Sequence, residues 1–531
     1  MSGIGRASVL IGAGTIVSRL SGFLRAVVLV SAVGATTGAG NAFAIANQLP
    51  NNIYAIISTG LLTAVIVPQI VKAASHDDGG RAFVSKLFTL GTAVLLAVTA
   101  LATIAAPWLV QLYAPGFPPE QQALATAFAY WCLPQILFYG LYALVGEALN
   151  ARRVYGPFTW APIVNNVVSI AGFLVFILLF GSDVALDAWT PTMIALLAGT
   201  ATLGIVVQAV ILLSFWRRTG LHVRPDFRWR GVGLNQLGRL AGWTFLMVVA
   251  GQLAGLVQSR VLSDAAENYP GVLVSQNAWL LFMLPYSIIV LSIGTPYFTQ
   301  LSEHAAAGRD DDVRGDVGRS IRTLGVFIVI ATAALAAASV PASRIFTDSR
   351  DEAVAAAGVL LCFLVSLVPL AVLFVIQRTF YAYNDTRTPF FFTLLQCTLV
   401  VVTALVASTL PVQYLAAGIA LGQSFASIVQ VVLATWLLQR RLGGLRIGSW
   451  MLALGRFALA AVPAAGAGWL TFLLLGGVGG WTVSDKLLGA IGAAIIGVVS
   501  LVVYAGFLAL LRAPELGPAM ALARRILPGG R

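Results

Sequence analysis

Charge is what this sequence has least of. Asp, Glu, Lys and Arg together make up 10% of its 531 residues, against about 25% in an average soluble domain. So few charged groups exclude a soluble enzyme. Cysteine is just as scarce: Cys132, Cys362 and Cys397 all fall inside apolar runs, without Cys-x-x-Cys spacing or a neighbouring histidine, so neither a zinc site nor a disulfide framework is indicated. They read as small buried hydrophobes. The three histidines, His76, His222 and His304, sit in predicted loops. No Gly-rich loop ends in Lys-Ser/Thr and no His-Glu-x-x-His occurs, so no cofactor or metal is expected and no catalytic constellation stands out.

What the chain has instead is apolar length. Hydrophobic residues are 59% of the whole and mean hydropathy is +0.90. The net charge of +12 raises nucleic acid as a partner, but no nucleic-acid-binding domain has this hydropathy, and the excess reads as topological. About fourteen stretches of membrane-spanning length follow one another, at 8–34, 41–71, 86–113, 122–149, 158–180, 190–215, 238–262, 272–302, 320–341, 353–381, 389–409, 413–438, 455–476 and 487–511. The first is too long for a signal-peptide core and carries Arg19 and Arg25, so it is expected to stay in the mature protein.

The basic residues test that list, since an incorrect number of spans would scramble their alternation. With the N-terminus inside, only Arg344, Arg350 and Lys486 fall on the opposite side, and only Arg19, Arg25 and Arg260 at membrane depth; every other Lys and Arg lies inside. Both termini are therefore expected in the cytoplasm. An internal echo adds a second constraint. Leu49-Pro50 recurs as Leu284-Pro285, Leu133-Pro134 as Val368-Pro369, and Gly156-Pro157-Phe158 as Thr388-Pro389-Phe390. Each pair lies six spans apart, which implies a parallel repeat. The expected plan is all-α: an N-lobe over 1–220, a cytoplasmic linker at 221–237, a C-lobe over 238–445, and two further helices with a tail over 446–531.

The polar residues at membrane depth carry the functional signal. Arg19 lies about 16 Å into its helix, near the bilayer centre, and an arginine there costs about 2.5 to 3.5 kcal/mol. The only acid within a segment is Glu147, near a predicted cytoplasmic end. The arginines must then face a wet cavity, bind carbonyls at a helix seam, or meet an anion from outside the protein. They are about 120° apart around an ideal helix, but Ser21-Gly22 between them is a place to bend it. Two guanidiniums at a bend suit phosphate or pyrophosphate, because the planar fork donates two parallel hydrogen bonds. Asn41, Asn47, Gln48, Asn51 and Asn52 crowd around Pro50 in the second span, and Asn165, Gln252 and Gln276 offer further amides. They either line a wet cavity or hold helices together. Arg260 is expected to pair with Asp264 or Glu267. Gly22, Pro50 and Pro285 are candidate hinges. The turn at Asp385 and Arg387 is a candidate gate, with Asp385 pairing to Arg387 or Arg378.

Taken together, Ser18-Arg19-Leu20-Ser21-Gly22-Phe23-Leu24-Arg25, then Asn47-Gln48-Leu49-Pro50-Asn51, Gly60 and Val67-Pro68, then Asn384-Asp385-Thr386-Arg387-Thr388-Pro389 resemble the MurJ (MviN) family of lipid II flippases. The resemblance spans nearly the whole chain. It implies a V-shaped pair of six-helix lobes around a cationic cavity, two further helices with a lipid-tail groove, and engagement of the pyrophosphate by Arg19 and Arg25. It also implies a monomer in the bacterial cytoplasmic membrane whose substrate is lipid II or a related polyprenyl-diphosphate lipid, with cell-wall synthesis or division proteins as possible partners. The coupling ion is open. The sequence departs from the family pattern at Ala26 and Asn41, where Asp is usual, at Tyr54-Ala55 in place of Arg-Arg, at Thr59 in place of an acid, and at Leu280 near the place of an arginine. These changes remove cavity charges of both signs. They keep three alternatives in view: a flippase for another polyprenyl-diphosphate saccharide, a multidrug exporter, and a membrane scaffold that does not transport.

Overall fold

A computed structural model describes residues 3–515 except 60–80, 153, 155, 183, 220–223, 228–233 and 266, and also residue 517. Among the described residues it is built from helices, and 13 of them are long and apolar enough to cross a membrane. These match thirteen of the expected spans. The remaining one, at 41–71, begins as a helix but its second half lies outside the described residues, as do His76, Gly60, Val67-Pro68 and most of the 221–237 linker. By contact the chain divides into two units, Met1–Glu267 with Gly271–Leu273, and Asn268–Pro270 with Val274–Arg531.

The first unit contains α1 (Gly3–Val33), α2 (Gly38–Ile57), α3 (Arg81–Ile104), α4 (Ala106–Tyr113), α5 (Pro119–Cys132), α6 (Gln135–Ala151), α7 (Gly156–Phe180), α8 (Pro191–Ser214) and α9 (Leu234–Leu262). Helix α7 packs on α1 and α8, α2 on α5, α6 on α3 and α8, and α9 on α2 and α4. Gly34, at φ 76, ends α1 in the left-handed region open to glycine. Thr37 then starts α2, its side chain accepting from the Gly40 N–H at 2.9 Å. Pro50 lies inside α2 without ending it. A proline supplies no N–H, which frees a carbonyl one turn back. Beside it, Asn51 turns its side-chain amide onto the Asn47 carbonyl at 3.2 Å.

The second unit contains most of α10 (Val272–Pro285), then α11 (Leu291–Ala306), α12 (Asp310–Ala337), α13 (Ser339–Arg344), α14 (Arg350–Leu364), α15 (Leu367–Ala382), α16 (Arg387–Ala407), α17 (Leu415–Leu442), α18 (Ile447–Leu474) and α19 (Lys486–Leu510). Pro285 is followed by a π-helical turn, Tyr286–Val290, before α11. The last two long helices are built into this unit. Val326, Val329 and Ile330 of α12 bury against Ala453 and Phe457 of α18 and Tyr504 and Leu508 of α19, and the Tyr504 hydroxyl donates to the Val326 carbonyl at 3.1 Å.

One device recurs in both units. The span made of α5 and α6 is broken at Leu133-Pro134, and Thr202 of α8 donates to the Trp131 carbonyl at 2.7 Å while accepting from the Gln135 amide at 2.8 Å. The span made of α14 and α15 is broken at Val365-Ser366, and Ser424 of α17 donates to the Cys362 carbonyl at 2.7 Å. In each case a hydroxyl two spans later satisfies a carbonyl that the break leaves without an intrahelical donor, which lipid could not do.

Candidate functional site

Helix α1 sets the two membrane-depth arginines. It runs unbroken through Ser21-Gly22, so the expected bend is not there. Asn166 of α7 donates to the Ser18 carbonyl at 3.2 Å and the Ser21 hydroxyl at 2.9 Å, and Ser21 in turn donates to the Ser18 carbonyl at 3.0 Å. The turn between the arginines is thereby stitched to α7 with its polar groups satisfied, leaving no orphan group to favour unwinding. Gly22 is not needed for clearance, since a Cβ there would meet only the Asn166 amide at 3.6 Å. The arginines thus keep the roughly 120° separation of an ideal helix. Arg19 is exposed and Arg25 half-buried.

Arg25 lies within electrostatic reach of Tyr139 on α6. The Tyr139 ring packs on Tyr54 of α2 with centroids 5.6 Å apart, and its hydroxyl lies near the Asn51 side chain. Tyr54 lies near Ser58 and within electrostatic reach of Glu147 on α6. A polar strip therefore runs from Arg25 across Tyr139 and Tyr54 toward a carboxylate. In the sequence Tyr54 stands out only as a departure from an arginine, and Tyr139 not at all. The usable signal is the spacing of Asn47, Asn51, Tyr54 and Ser58, which puts polar groups on one face of α2. The ion pairs given for the described residues all lie in the second unit, and none includes Arg19 or Arg25.

The candidate amides divide. Asn41 is buried, its oxygen accepting from the Leu273 N–H at 3.1 Å and its amide filling the space that a Cβ on Gly271 would take at 2.8 Å. It satisfies one of the orphan N–H groups at the start of α10. Asn165 is buried between α7 and α8, opposite Gly204, and accepts from Ser169 at 3.4 Å. Both amides sit in helix seams instead of lining a cavity. Gln48 donates to Ser259 of α9 at 3.3 Å. Asn47, Gln252 and Gln276 are half-buried. Arg260 does not form an ion pair with Asp264 or Glu267; it donates to the Leu112 carbonyl at 3.0 Å, in the last turn of α4. Asp264 is held above the usual carboxylate range by desolvation, which the nearby Arg260 charge offsets in part.

The candidate gate is a knot of ionic and capping contacts within the second unit. Asp385 accepts from the Thr388 N–H at 2.9 Å and the Thr388 hydroxyl at 2.8 Å, starting α16. It forms an ion pair with Arg441, at the end of α17, at 2.6 Å. Arg387 lies over the Phe391 ring at 5.8 Å, and Arg378 lies between the Phe298 and Phe374 rings at 5.2 Å from each. Arg441 also covers Tyr383 at 4.8 Å, whose hydroxyl donates to Asp310 of α12. Burial and that carboxylate push the Tyr383 phenol well above its ordinary pKa, so it stays a proton donor at physiological pH. Helices α12, α15, α16 and α17 are tied at one end. Asp385→Ala is expected to cost about 2 kcal/mol, read as a lower unfolding temperature in detergent. Arg441→Ala should reproduce most of that loss, and an unchanged unfolding temperature in both variants would mean that the knot carries no stability.

Three comparisons bear on this geometry. A sequence-family model described as "Lipid II flippase MurJ" matches residues 29–488. A protein of Rhizobium tropici named probable lipid II flippase MurJ is 26% identical over 467 residues, covering 86% of this chain and 84% of the relative. One of Synechocystis sp. with the same name is 23% identical over 511 residues, covering 94% and 93%. Among solved structures, a lipid II flippase MurJ in an inward closed conformation superposes with a TM-score of 0.73 at 18% identity, covering 95% of this chain and 99% of that one. An inward-facing multidrug transporter of the MATE family gives 0.59 at 16% identity, covering 81% and 98%.

Proposed function

Because the chain belongs to the lipid II flippase MurJ family, we propose that Arg25, with Arg19, holds the pyrophosphate of a polyprenyl-diphosphate lipid while its headgroup crosses the membrane. The observation that carries this reading is a pair of membrane-depth guanidiniums outside every ion pair of the described residues. A carboxylate-free pair of arginines is costly in lipid unless an anion arrives to meet it. A diphosphate supplies both charge and the oxygen pairs that a guanidinium fork matches. Substrate binding by Arg25 leaves Tyr139 and Asn51 as neutral donors beside the same oxygens, a role for which the family's extra arginines are not needed.

The transport cycle under this reading is alternating access without bond chemistry. The saccharide-peptide headgroup moves with the phosphates, the polyprenyl tail stays in lipid, and the protein works in the bacterial cytoplasmic membrane with both termini inside. Membrane potential acting on a cationic site is a compatible drive, worth about 2.3 kcal/mol per charge per 100 mV. The test is binding of a short-chain polyprenyl diphosphate to the purified chain. Saturable binding that a monophosphate analogue competes for poorly supports the reading. Equal competition by a neutral polyprenol would remove the phosphate from it.

A further inference from the structure

A pocket at the arginine-rich end of the second unit has no part in that reading. It encloses about 330 Å³ and is lined by Tyr297 of α11, by Arg319, Arg322 and Thr323 of α12, and by Pro514 and Glu515 just beyond α19. Arg319 and Arg322 stand about 14 and 18 Å along α12 from its start at Asp310. The end of α12 that holds them is the one which charge asymmetry assigns to the cytoplasm, and α19 finishes beside it. The pocket is therefore level with the headgroups of the inner leaflet.

Its lining carries charges of both signs. Arg322 uses its Nε on the Gly318 carbonyl at 3.3 Å, and its terminal nitrogens make no hydrogen bond given for the described residues. Arg319 reaches Asp316 only at 3.8 Å and is 62% exposed. Tyr297 and Thr323 share one hydrogen bond at 3.2 Å, so one of the two hydroxyl protons is left to donate elsewhere. The Oε2 of Glu515, on the same lining, is buried without a hydrogen-bond partner. A buried carboxylate oxygen lacking a donor is an expensive feature that a cationic N–H would relieve.

We propose that this pocket binds the phosphoethanolamine headgroup of a phospholipid, its phosphate oxygens on Arg319 and Arg322 and its primary ammonium on Glu515. Two guanidiniums alone would favour any phosphate. Glu515 is what selects the zwitterion: it repels a purely anionic headgroup and rewards an ammonium with N–H donors over a quaternary one that has none. The lipid would bridge α11 and α12 to the end of α19.

The full-length protein, purified and delipidated, is titrated with phosphatidylethanolamine, phosphatidylcholine and phosphatidylglycerol of matched acyl chains, and retained lipid is counted by native mass spectrometry. Phosphatidylethanolamine is expected to be retained about tenfold over phosphatidylcholine, the worth of one charge-assisted hydrogen bond. Glu515→Gln should abolish that preference while leaving phospholipid retention in place, and Arg319→Gln with Arg322→Gln should weaken all three lipids. Soluble glycerophosphoethanolamine that competes as well as the lipid would assign the pocket to a free zwitterion; weak competition supports the membrane source. Equal retention of ethanolamine and choline lipids by the unaltered protein, a preference for phosphatidylglycerol, or a preference that survives Glu515→Gln would overturn the proposal. The lipid comparison on the unaltered chain decides the matter even if a variant folds poorly.

Discussion

Arg25→Ala is expected to lower lipid II translocation about 100-fold per folded molecule, with membrane insertion intact. A bidentate guanidinium–phosphate contact in a site shielded from water contributes about 3 kcal/mol, and each 1.4 kcal/mol is a factor of ten. Arg25→Lys keeps the charge but loses the fork, so a drop of about tenfold is expected. Arg19 is exposed where Arg25 is half-buried, and its alanine variant should cost less, because solvent competes for its hydrogen bonds. The reading in which Arg25 only seals a seam makes a different forecast: lysine and alanine variants would then differ in unfolding temperature and expression, and correctly folded protein would transport normally. Transport normalised to folded protein separates the two.

Arg344→Leu should be the most destabilising single change outside the candidate site. Arg344 is 7% exposed, and its guanidinium donates to three carbonyls: Val483 at 3.0 Å, Ser484 at 2.9 Å, and Thr347. It thus fastens α13 to the loop between α18 and α19, and Lys486 adds an ion pair to Asp348 at 2.8 Å. Removing the guanidinium strands three acceptors, at about 1 kcal/mol or more each, so a loss of at least about 3 kcal/mol is expected. The readout is the unfolding temperature in detergent, compared with Lys486→Met, which should lose less than about 1 kcal/mol because a partly exposed pair contributes little. A milder effect in Arg344→Leu than in Lys486→Met would contradict this assignment.

The spans were legible because apolar length is a property of single segments. The proline echo was legible too, and it marked real features: Leu133-Pro134 coincides with the first helix break, and Val368-Pro369 lies just past the second. What could not be read was partnership. Asn41 and Asn165 looked like cavity amides, yet each fills the space opposite a glycine, Gly271 and Gly204, from a distant stretch of chain. Asp385 had arginines close by in sequence, but its partner Arg441 lies 56 residues away. Ser21-Gly22 has the composition of a bend, but the turn is helical and bonded to Asn166 of α7, 145 residues away. The sequence plan put the helix at 238–262 with the C-lobe; by contact α9 groups with the first unit, on α2 and α4.

Depleting this chain from living cells while measuring lipid II in each leaflet is the decisive test of whether it moves lipid II across the membrane. Lipid II is expected to accumulate on the cytoplasmic side and fall on the outer side. The unaltered chain should restore the distribution and Arg25→Ala should not. An unchanged distribution after depletion, or full restoration by Arg25→Ala, would contradict it.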